Sequence, residues 1–134
     1  MTCFKEIVAT RFSDTDALGH INNTMLPIWF EGARDPIFKF FMPDLDLSKW
    51  SLILAKIEVS FLAQLYYGET IEIRSYISRI GNSSFDVYQE AWQLDKLCAT
   101  GKAVMVHFDY ETNQSASIPN AIVQEMEKHL YQGE

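Results

Sequence analysis

Alternation of apolar and polar residues in the second half of the chain predicts strands there. In residues 52–62, LILAKIEVSFL, every second residue is apolar and the intervening positions include Lys56, Glu58 and Ser60. This period is typical of a strand with one buried face. The residues predicted to share that face are Ile53, Ala55, Ile57, Val59 and Phe61. Short polar turns join three further strand-like segments, at residues 70–80, 83–94 and 98–110.

A run of apolar residues near helical spacing predicts one long helix before these strands, over about residues 24–41. Pro27 lacks the N–H that a mid-helix residue donates, so the helix is expected to begin only a few residues before it. Pro36 predicts a kink or a break. A first strand lies in residues 3–12, and residues 120–130 have the spacing of a short amphipathic terminal helix.

The predicted order of elements is a strand, a long helix and about four further strands, which indicates an α+β domain. An antiparallel sheet of about five strands has one face to bury, and the long central helix is available to cover it. With 134 residues, 48% of them hydrophobic, the chain has the size of one compact domain. We expect that domain to occupy residues 1–134.

Composition argues against several classes of partner. The formal net charge of −7 leaves no basic surface for nucleic acid. Cys3 and Cys98 form neither a CxxC pair nor part of a Cys/His cluster, so neither a metal site nor a disulfide framework is predicted. Residues 1–10 lack the pattern of a signal peptide, and no apolar run is long enough to span a bilayer. We therefore expect a cytoplasmic protein with no membrane partner.

The stretch DTDALGHINN, residues 14–23, concentrates polar side chains where the first strand gives way to the helix. Asp, Gly and Asn favour turns and helix N-termini, so capping alone would account for them. The free backbone N–H groups and the dipole of a helix N-terminus also stabilise negative charge, and the alternative is therefore an active site. A carboxylate beside such donors can act as a general base on water or as a nucleophile, and the sequence leaves both routes open.

The chain resembles the hotdog-fold thioesterases, specifically the 4-hydroxybenzoyl-CoA thioesterase-like branch with its small acyl-CoA thioesterases. The motifs that carry the resemblance are DTDALGHINN, WFEGAR, YYGETIEI at 66–73, RIGNSSF at 79–85 and IP at 118–119. They extend over roughly residues 5–125. The resemblance implies a hotdog fold, in which the sheet wraps around the central helix. It also implies hydrolysis of an acyl-CoA or acyl-carrier-protein thioester without a metal or other cofactor, in a homodimer or dimer of dimers with pockets near the subunit interface.

The resemblance places the catalytic carboxylate at Asp16, the second aspartate of the motif. We expect two further catalytic residues. His20 would orient Asp16, polarise the substrate carbonyl or hold the loop, and Asn23 would belong to the helix start that forms the oxyanion hole. Asp14 is interpreted as a turn-former that supports the loop. The residues expected to contact the substrate are Gly19, Asn22, Thr24 and Glu31.

Other side chains are expected to matter less. Arg74, Arg79 and Lys102 lie on strands where hotdog enzymes can meet the phosphates of coenzyme A, although a lone basic residue on a strand is usually only solvated. His107 and His129 are expected to be structural or exposed. The end wall of the acyl pocket is expected to include Trp29, Phe30, Phe38 and Phe41.

Other functions are compatible with the same fold to different degrees. A non-catalytic acyl-thioester-binding or assembly protein is the main alternative, because a fold and its pocket can persist without the chemistry. A hydratase is less favoured, since no histidine lies in the predicted central helix. A serine hydrolase is disfavoured because Ser60, Ser83 and Ser84 lack a GxSxG pattern.

Overall fold

The computed structural model describes residues 3–132 as a curled antiparallel sheet with helices packed against it. The strands are β1 (Phe4–Val8), β2 (Leu52–Phe61), β3 (Ile71–Ile80), β4 (Ser84–Gln93), β5 (Lys96–Asp109) and β6 (Gln114–Ser115). The α-helices are α1 (Met25–Ala33), α2 (Asp35–Phe38) and α3 (Asn120–Glu127), and single 3-10 turns lie at Phe12–Asp14 and Leu47–Lys49. The predicted α+β class and five main strands are confirmed, and the two-residue β6 is an addition.

The strands are ordered β1-β3-β4-β5-β2 across the sheet, and every pairing is antiparallel. The short β6 pairs with the end of β5. Leu94 and Asp95 connect β4 to β5 with positive φ angles of 51° and 61°, the backbone of a tight hairpin turn. Because β1 and β2 are the outer strands, β2 contributes a ten-residue edge.

The single helix predicted over residues 24–41 is instead two helices, α1 and α2, with the break at Arg34. The expectation that Pro36 interrupts the helix is confirmed, because proline supplies no N–H and lies in the first turn of α2. The Arg34 backbone N–H bonds to the carbonyl of Glu31, at 3.1 Å. The side chain of Gln89 donates to the carbonyl of Phe30, at 2.8 Å, and so satisfies an acceptor at the end of α1.

A polar layer crosses the concave face of the sheet between two apolar clusters. Ser75, Gln89 and Gly101 lie opposite one another on β3, β4 and β5, and the Gln89 amide donates to the Ser75 hydroxyl. Arg34 is buried in this layer and donates to Gln89 at 3.3 Å. Burial lowers the pKa of the Arg34 guanidinium, because water no longer solvates its charge. The aromatic ring of Phe30 packs directly on Gly101.

The predicted alternation of β2 is interrupted by a β-bulge. The register against β5 shifts between Leu54 and Lys56, and a one-residue insertion exchanges the faces toward which the flanking residues point. The prediction that Ile53 and Ala55 share one regular face with Ile57 is therefore wrong. Leu54 takes that place, and Ala55 is the extra residue of the bulge.

The predicted burial of the β2 face is not found in the single chain. Leu54, Ile57 and Phe61 are 42%, 39% and 54% exposed, although the β5 residues opposite them are buried. The reason is the position of α1, which packs mainly against β1 and β3, at the end of the sheet farthest from β2. An apolar strip therefore runs along the unpaired edge.

Candidate active site

The segment 14–23, which we call the site loop, is fixed by buried contacts at its start. The Asp14 side chain is 1% exposed and accepts hydrogen bonds from the backbone N–H and the guanidinium of Arg11, at 2.8 and 3.1 Å. The Asp14 carbonyl accepts from the N–H of Asn22 at 2.8 Å. These contacts support the interpretation of Asp14 as a residue that closes the loop.

Asp16 uses one carboxylate oxygen to shape the loop and leaves the other free of bonds to the described residues. Its Oδ1 accepts from the backbone N–H groups of Leu18 and His20, at 2.8 and 3.1 Å. The Asp16 backbone closes the same turn by donating to the His20 carbonyl at 2.7 Å. Gly19 has a φ of 83°, a left-handed conformation that glycine adopts without strain. Oδ2 has no hydrogen-bond partner within residues 3–132 and is available to water or a substrate.

Asn22 caps the start of α1 and leaves a backbone donor unused beside it. Its Oδ1 accepts from both the N–H and the hydroxyl of Thr24, at 3.0 Å each. The Asn22 and Asn23 carbonyls accept from the N–H groups of Met25 and Leu26, at 3.0 and 3.3 Å. The N–H of Asn23 bonds to no group in the described part of the chain. It lies at the positive end of the helix dipole, where negative charge is stabilised.

Asp16 and Asn23 line the same cavity, which has a volume of about 440 Å³. The apolar residues that complete it are Ile21, Leu26, Phe61, Leu62, Ala63, Leu65 and Ala99. Gln64 is a further polar lining residue. Phe61 and Leu62 are 54% and 58% exposed, so the cavity opens beside the free edge of β2.

Residues 64–69, which we call the facing loop, form the opposite wall and pair with the site loop. The N–H of Ile21 donates to the Leu65 carbonyl at 2.8 Å, and His20 forms a β-bridge with Tyr66. The rings of His20 and Tyr66 meet edge to face with centroids 5.3 Å apart. The imidazole of His20 is thereby held against the facing loop, but His20 is not among the residues that line the cavity.

The structure brings together some of the predicted site residues and separates others. Asp16 and Asn23 share the cavity, whereas Gly19, Asn22 and Thr24 shape the turn and the helix cap. Glu31 is exposed on α1, away from the cavity lining.

The expected end wall is not observed in the cavity. Phe30 packs on Gly101, Phe38 on Trp50, and Phe41 on Phe85. None of these three lines the cavity, and neither does Trp29. The lining instead comes from the site loop, the start of α1, the end of β2, the segment that follows it, and β5. The segment AQLYYG, residues 63–68, contains Ala63, Gln64 and Leu65 of this lining, but its residue pattern does not mark a cavity.

The basic residues considered for phosphate binding are already paired. Arg74 bonds to Glu72 and stacks over the ring of a neighbouring tryptophan, 4.4 Å from its centroid. Arg79 and Lys102 both contact Asp86, at 3.0 and 3.4 Å. The charges of these three residues are therefore already balanced by neighbouring carboxylates.

His107, His129 and Cys98 contact other parts of the fold and do not line the cavity. His107 contacts two backbone carbonyls through Nδ1, and His129 stacks on Phe4 with centroids 4.3 Å apart. Burial raises the pKa of the Cys98 thiol, which makes its reactive thiolate form scarcer. Within residues 3–132, no three His, Cys, Asp or Glu side chains group in a way that could hold a metal ion.

Comparison with known proteins identifies the family. A family model of the thioesterase-like superfamily matches residues 10–126. The chain belongs to the thioesterase-like superfamily. The hotdog-fold thioesterase resemblance is confirmed by this match and by the architecture of solved relatives.

Individual relatives cover nearly the whole of this thioesterase-like chain. The structure of a predicted thioesterase from Bacillus stearothermophilus is 38% identical, with a TM-score of 0.95 over 99% of this chain and 100% of that one. A thioesterase from Thermus thermophilus, solved with coenzyme A and Zn, is 27% identical with a TM-score of 0.82, over 92% of this chain and 91% of that one. The uncharacterized protein YsmA of Bacillus subtilis strain 168 is 31% identical over 82% of this chain and 76% of its own length. In the described residues, no helix has both the length and the apolar character that crossing a bilayer requires.

Proposed function

We propose that this protein is an acyl-CoA thioesterase that hydrolyses a thioester to a free acid and coenzyme A. The observation that carries the proposal is that Asp16, whose Oδ2 is unbonded, and Asn23, whose backbone N–H is unbonded, line the same cavity. A thioester carbonyl placed between them would have a base or nucleophile on one side and an oxyanion donor on the other. Membership of the thioesterase-like superfamily supports thioester hydrolysis in general.

In the general-base route, the Asp16 carboxylate accepts a proton from a water molecule as the water oxygen attacks the thioester carbon. The carbonyl oxygen becomes an oxyanion and accepts a hydrogen bond from Asn23. When the tetrahedral intermediate collapses, the carbon–sulfur bond breaks and the thiolate leaves, taking a proton from Asp16. Removing one such oxyanion donor typically costs about 3–4 kcal/mol of transition-state stabilisation.

In the nucleophilic route, Asp16 attacks the thioester carbon itself. The thiolate leaves, and an anhydride between Asp16 and the acyl group forms. Water then hydrolyses the anhydride. Hydrolysis regenerates the Asp16 carboxylate and supplies the proton that the thiolate takes up. Both routes use the same oxyanion donor and the same free Oδ2 atom, and oxygen from labelled water enters Asp16 only in the nucleophilic route, when water attacks the Asp16 carbonyl carbon of the anhydride.

The other residues proposed for the site act around these two. His20 holds the site loop against Tyr66 and orients Asp16 through the backbone N–H that donates to Oδ1. Asn22 and Thr24 fix the start of the helix through their mutual hydrogen bonds. Gly19 allows the turn its left-handed backbone. A contact between Glu31 and substrate stays a prediction.

The lining of the cavity supports an acyl thioester as substrate. Most of its residues are apolar, which suits an acyl chain, and the polar residues lie where the thioester group would react. The bound coenzyme A of the Thermus thermophilus relative supports coenzyme A as the carrier. An acyl-carrier-protein thioester is the alternative carrier, and a substrate panel separates the two.

The test is a panel of acyl-CoA thioesters of graded chain length, with aromatic members and acyl-carrier-protein counterparts, and release of free thiol as the readout. We expect hydrolysis of at least one class. If the chain binds acyl-CoA but releases no thiol from any member, it is instead a non-catalytic acyl-thioester-binding protein. The free Oδ2 of Asp16 is the observation that favours the enzyme.

We further propose that the protein is at least a homodimer that uses the free edge of β2. An unpaired ten-residue edge and an exposed apolar strip that includes Leu54, Ile57 and Phe61 are features that a second copy would cover. Because the cavity opens at Phe61 and Leu62, the partner would lie beside its entrance. A dimer of dimers would need a second surface.

Action in the cytoplasm stays a prediction, in agreement with the two free cysteines.

A further inference from the structure

We infer that Gln93, at the end of β4, is a positioning residue for the reaction, an inference that rests on the proposed thioesterase function. The side chain is 4% exposed. Its amide donates to the carbonyls of Tyr66 and Glu69, at 2.9 and 3.1 Å, and its oxygen accepts from the N–H of Tyr66 at 2.9 Å. One side chain thus holds the facing loop at both ends of its turn.

The hydrogen bonds of Gln93 reach Asp16 in three steps. Gln93 fixes Tyr66, and the facing loop in turn fixes the site loop through the bond between Ile21 and the Leu65 carbonyl and through the bridge between His20 and Tyr66. The His20 N–H then donates to the Oδ1 atom of Asp16. We call the three hydrogen bonds of Gln93 to the facing loop the clamp. The clamp therefore controls the separation between Asp16 and the opposite wall of the cavity.

Thr10 supports the facing loop from the other side, and among the described residues Gln93 is the side chain of the sheet that hydrogen-bonds to this loop. The Thr10 hydroxyl donates to the Glu69 carbonyl and accepts from the Gly68 N–H, at 3.3 and 3.0 Å. Thr10 lies in an irregular segment, whereas Gln93 belongs to a strand paired on both sides. Loss of Gln93 should therefore let the facing loop move as a unit.

Gln89 offers a matched control on the same strand. It is 1% exposed and also makes three side-chain hydrogen bonds. Their partners, Phe30, Ser75 and Arg34, belong neither to the two loops nor to the cavity lining. Gln89→Leu and Gln93→Leu therefore each remove three side-chain hydrogen bonds of a buried glutamine, at different places.

The experiment compares steady-state kinetics and amide hydrogen exchange in the two variants. For Gln93→Leu we expect kcat for the best acyl-CoA to fall about ten- to a hundredfold, the effect of displacing a reactive group by about 1 Å, with KM nearly unchanged. Exchange of the Ile21 N–H should accelerate at least about tenfold, because the loop pairing opens more often. Gln89→Leu should lower the melting temperature without either effect.

A pH profile supplies a second signature through Gln93→Glu. A carboxylate facing two carbonyls is repelled, while the protonated acid still donates to one of them. The ratio of variant to parent kcat should therefore be highest at acid pH and fall as pH rises through the pKa of the new carboxyl group. A ratio independent of pH would contradict the clamp.

Equal loss of kcat in the two leucine variants, or unchanged exchange at Ile21 in Gln93→Leu, would overturn the inference and make Gln93 a residue of general stability. Hydrolysis by the parent tests the proposed function separately. If the parent hydrolyses no thioester, exchange at Ile21 alone decides whether Gln93 holds the two loops together.

Discussion

Asp16 combines the two roles that its place before the helix suggests. Oδ1 closes the turn by accepting from Leu18 and His20, while Oδ2 bonds to none of the described residues. Capping and catalysis are therefore compatible in one side chain, because each needs a different oxygen. A substitution that keeps the acceptor oxygen but removes the charge can therefore separate capping from catalysis.

Asp16→Asn should retain the fold and lose the chemistry. The amide oxygen can still accept both backbone bonds, but the side chain no longer has a charge or a basic oxygen. We expect kcat for acyl-CoA hydrolysis to fall by at least about a hundredfold with little change in KM. The melting temperature should stay close to that of the parent. Hydrolysis at the parental rate would remove Asp16 from the mechanism.

Asp14→Asn is the contrasting variant, because Asp14 is buried and both its oxygens are bonded to Arg11. An amide keeps one acceptor and places an NH2 group against the guanidinium, which costs a charge-assisted bond. We expect a loss of about 1–3 kcal/mol in the free energy of unfolding, measured in urea. Turnover of the folded fraction should change far less than in Asp16→Asn.

Activity should survive removal of divalent metal. Asp14, Asp16 and His20 are close in sequence, but Arg11 occupies the Asp14 carboxylate and Oδ1 of Asp16 is used within the turn. The donor set in the described residues therefore does not converge on one ion. Thiol release after exhaustive chelation should match the untreated rate. A loss of activity that zinc or manganese restores would contradict this expectation.

At the residue scale, the sequence predicts local contacts better than distant ones. The turn at Asp16 and the cap at Asn22 involve partners within four residues, so residue type and spacing suffice to locate them. Gln93 meets Tyr66 across 27 positions, and no local pattern marks that pair. The cavity lining at the end of β2 is missed for the same reason, since it depends on how the strand leaves the sheet.

At the scale of elements, the position of α1 on the sheet depends on a close approach between Phe30 and Gly101. A methyl group added at Gly101 would lie 2.7 Å from the Phe30 ring, well inside van der Waals contact. The glycine therefore makes room for an aromatic anchor from the helix. This contact also sets how closely α1 approaches β5 at Phe30.

Gly101→Ala should destabilise the fold by about 1–3 kcal/mol, because the ring or the helix must shift. Unfolding in urea measures the loss, and the double variant with Phe30→Leu should recover part of it by removing the ring. Gly32→Ala is the control, since Gly32 lies on the exposed face of α1 with open space around it. That variant should gain up to about 1 kcal/mol from helix propensity. No recovery in the double variant would show that the contact does not position α1.

The sequence predicts an element correctly where a single local rule decides its structure. It fails where the structure depends on pairing with a strand that is distant in the sequence. Pro36 indicates the break in the central helix because proline cannot continue a helix from within. In β2, by contrast, the alternation is locally consistent, and only the pairing with β5 reveals the bulge after Leu54. The apolar pattern still contains information, because Ile57 and Phe61, which it predicts to be buried, are exposed beside Leu54 in the single chain.

At the scale of the whole molecule, the charges along β2 favour one way of pairing two copies. Antiparallel pairing about a two-fold axis at Ile57 would place Lys56 opposite the partner's Glu58, and Glu58 opposite the partner's Lys56. An axis at either charged residue would oppose like charges, which destabilises a cross-strand pair. Within one chain Lys56 and Glu58 already lie 2.9 Å apart, so this register would extend the pair into an alternating network.

Cysteine cross-linking tests this register. We expect Ile57→Cys to form a disulfide-linked dimer on mild oxidation, because an axis at this residue sets it opposite its own copy, within the reach of a disulfide. A mixture of Lys56→Cys and Glu58→Cys chains should yield the mixed dimer in preference to either homodimer. Directly opposite residues of an antiparallel pair alternate between hydrogen-bonded pairs and closer, non-hydrogen-bonded pairs. Either the pair of two residues 57 or the pair of residues 56 and 58 is therefore of the closer kind, so at least one of the two cross-links has suitable geometry. The parent, with Cys3 and Cys98, should remain unlinked and sediment as a dimer or larger oligomer at micromolar concentration. A monomeric parent, or preferential homodimers from the two charged positions, would rule out the register and with it the proposed place of the partner beside the cavity.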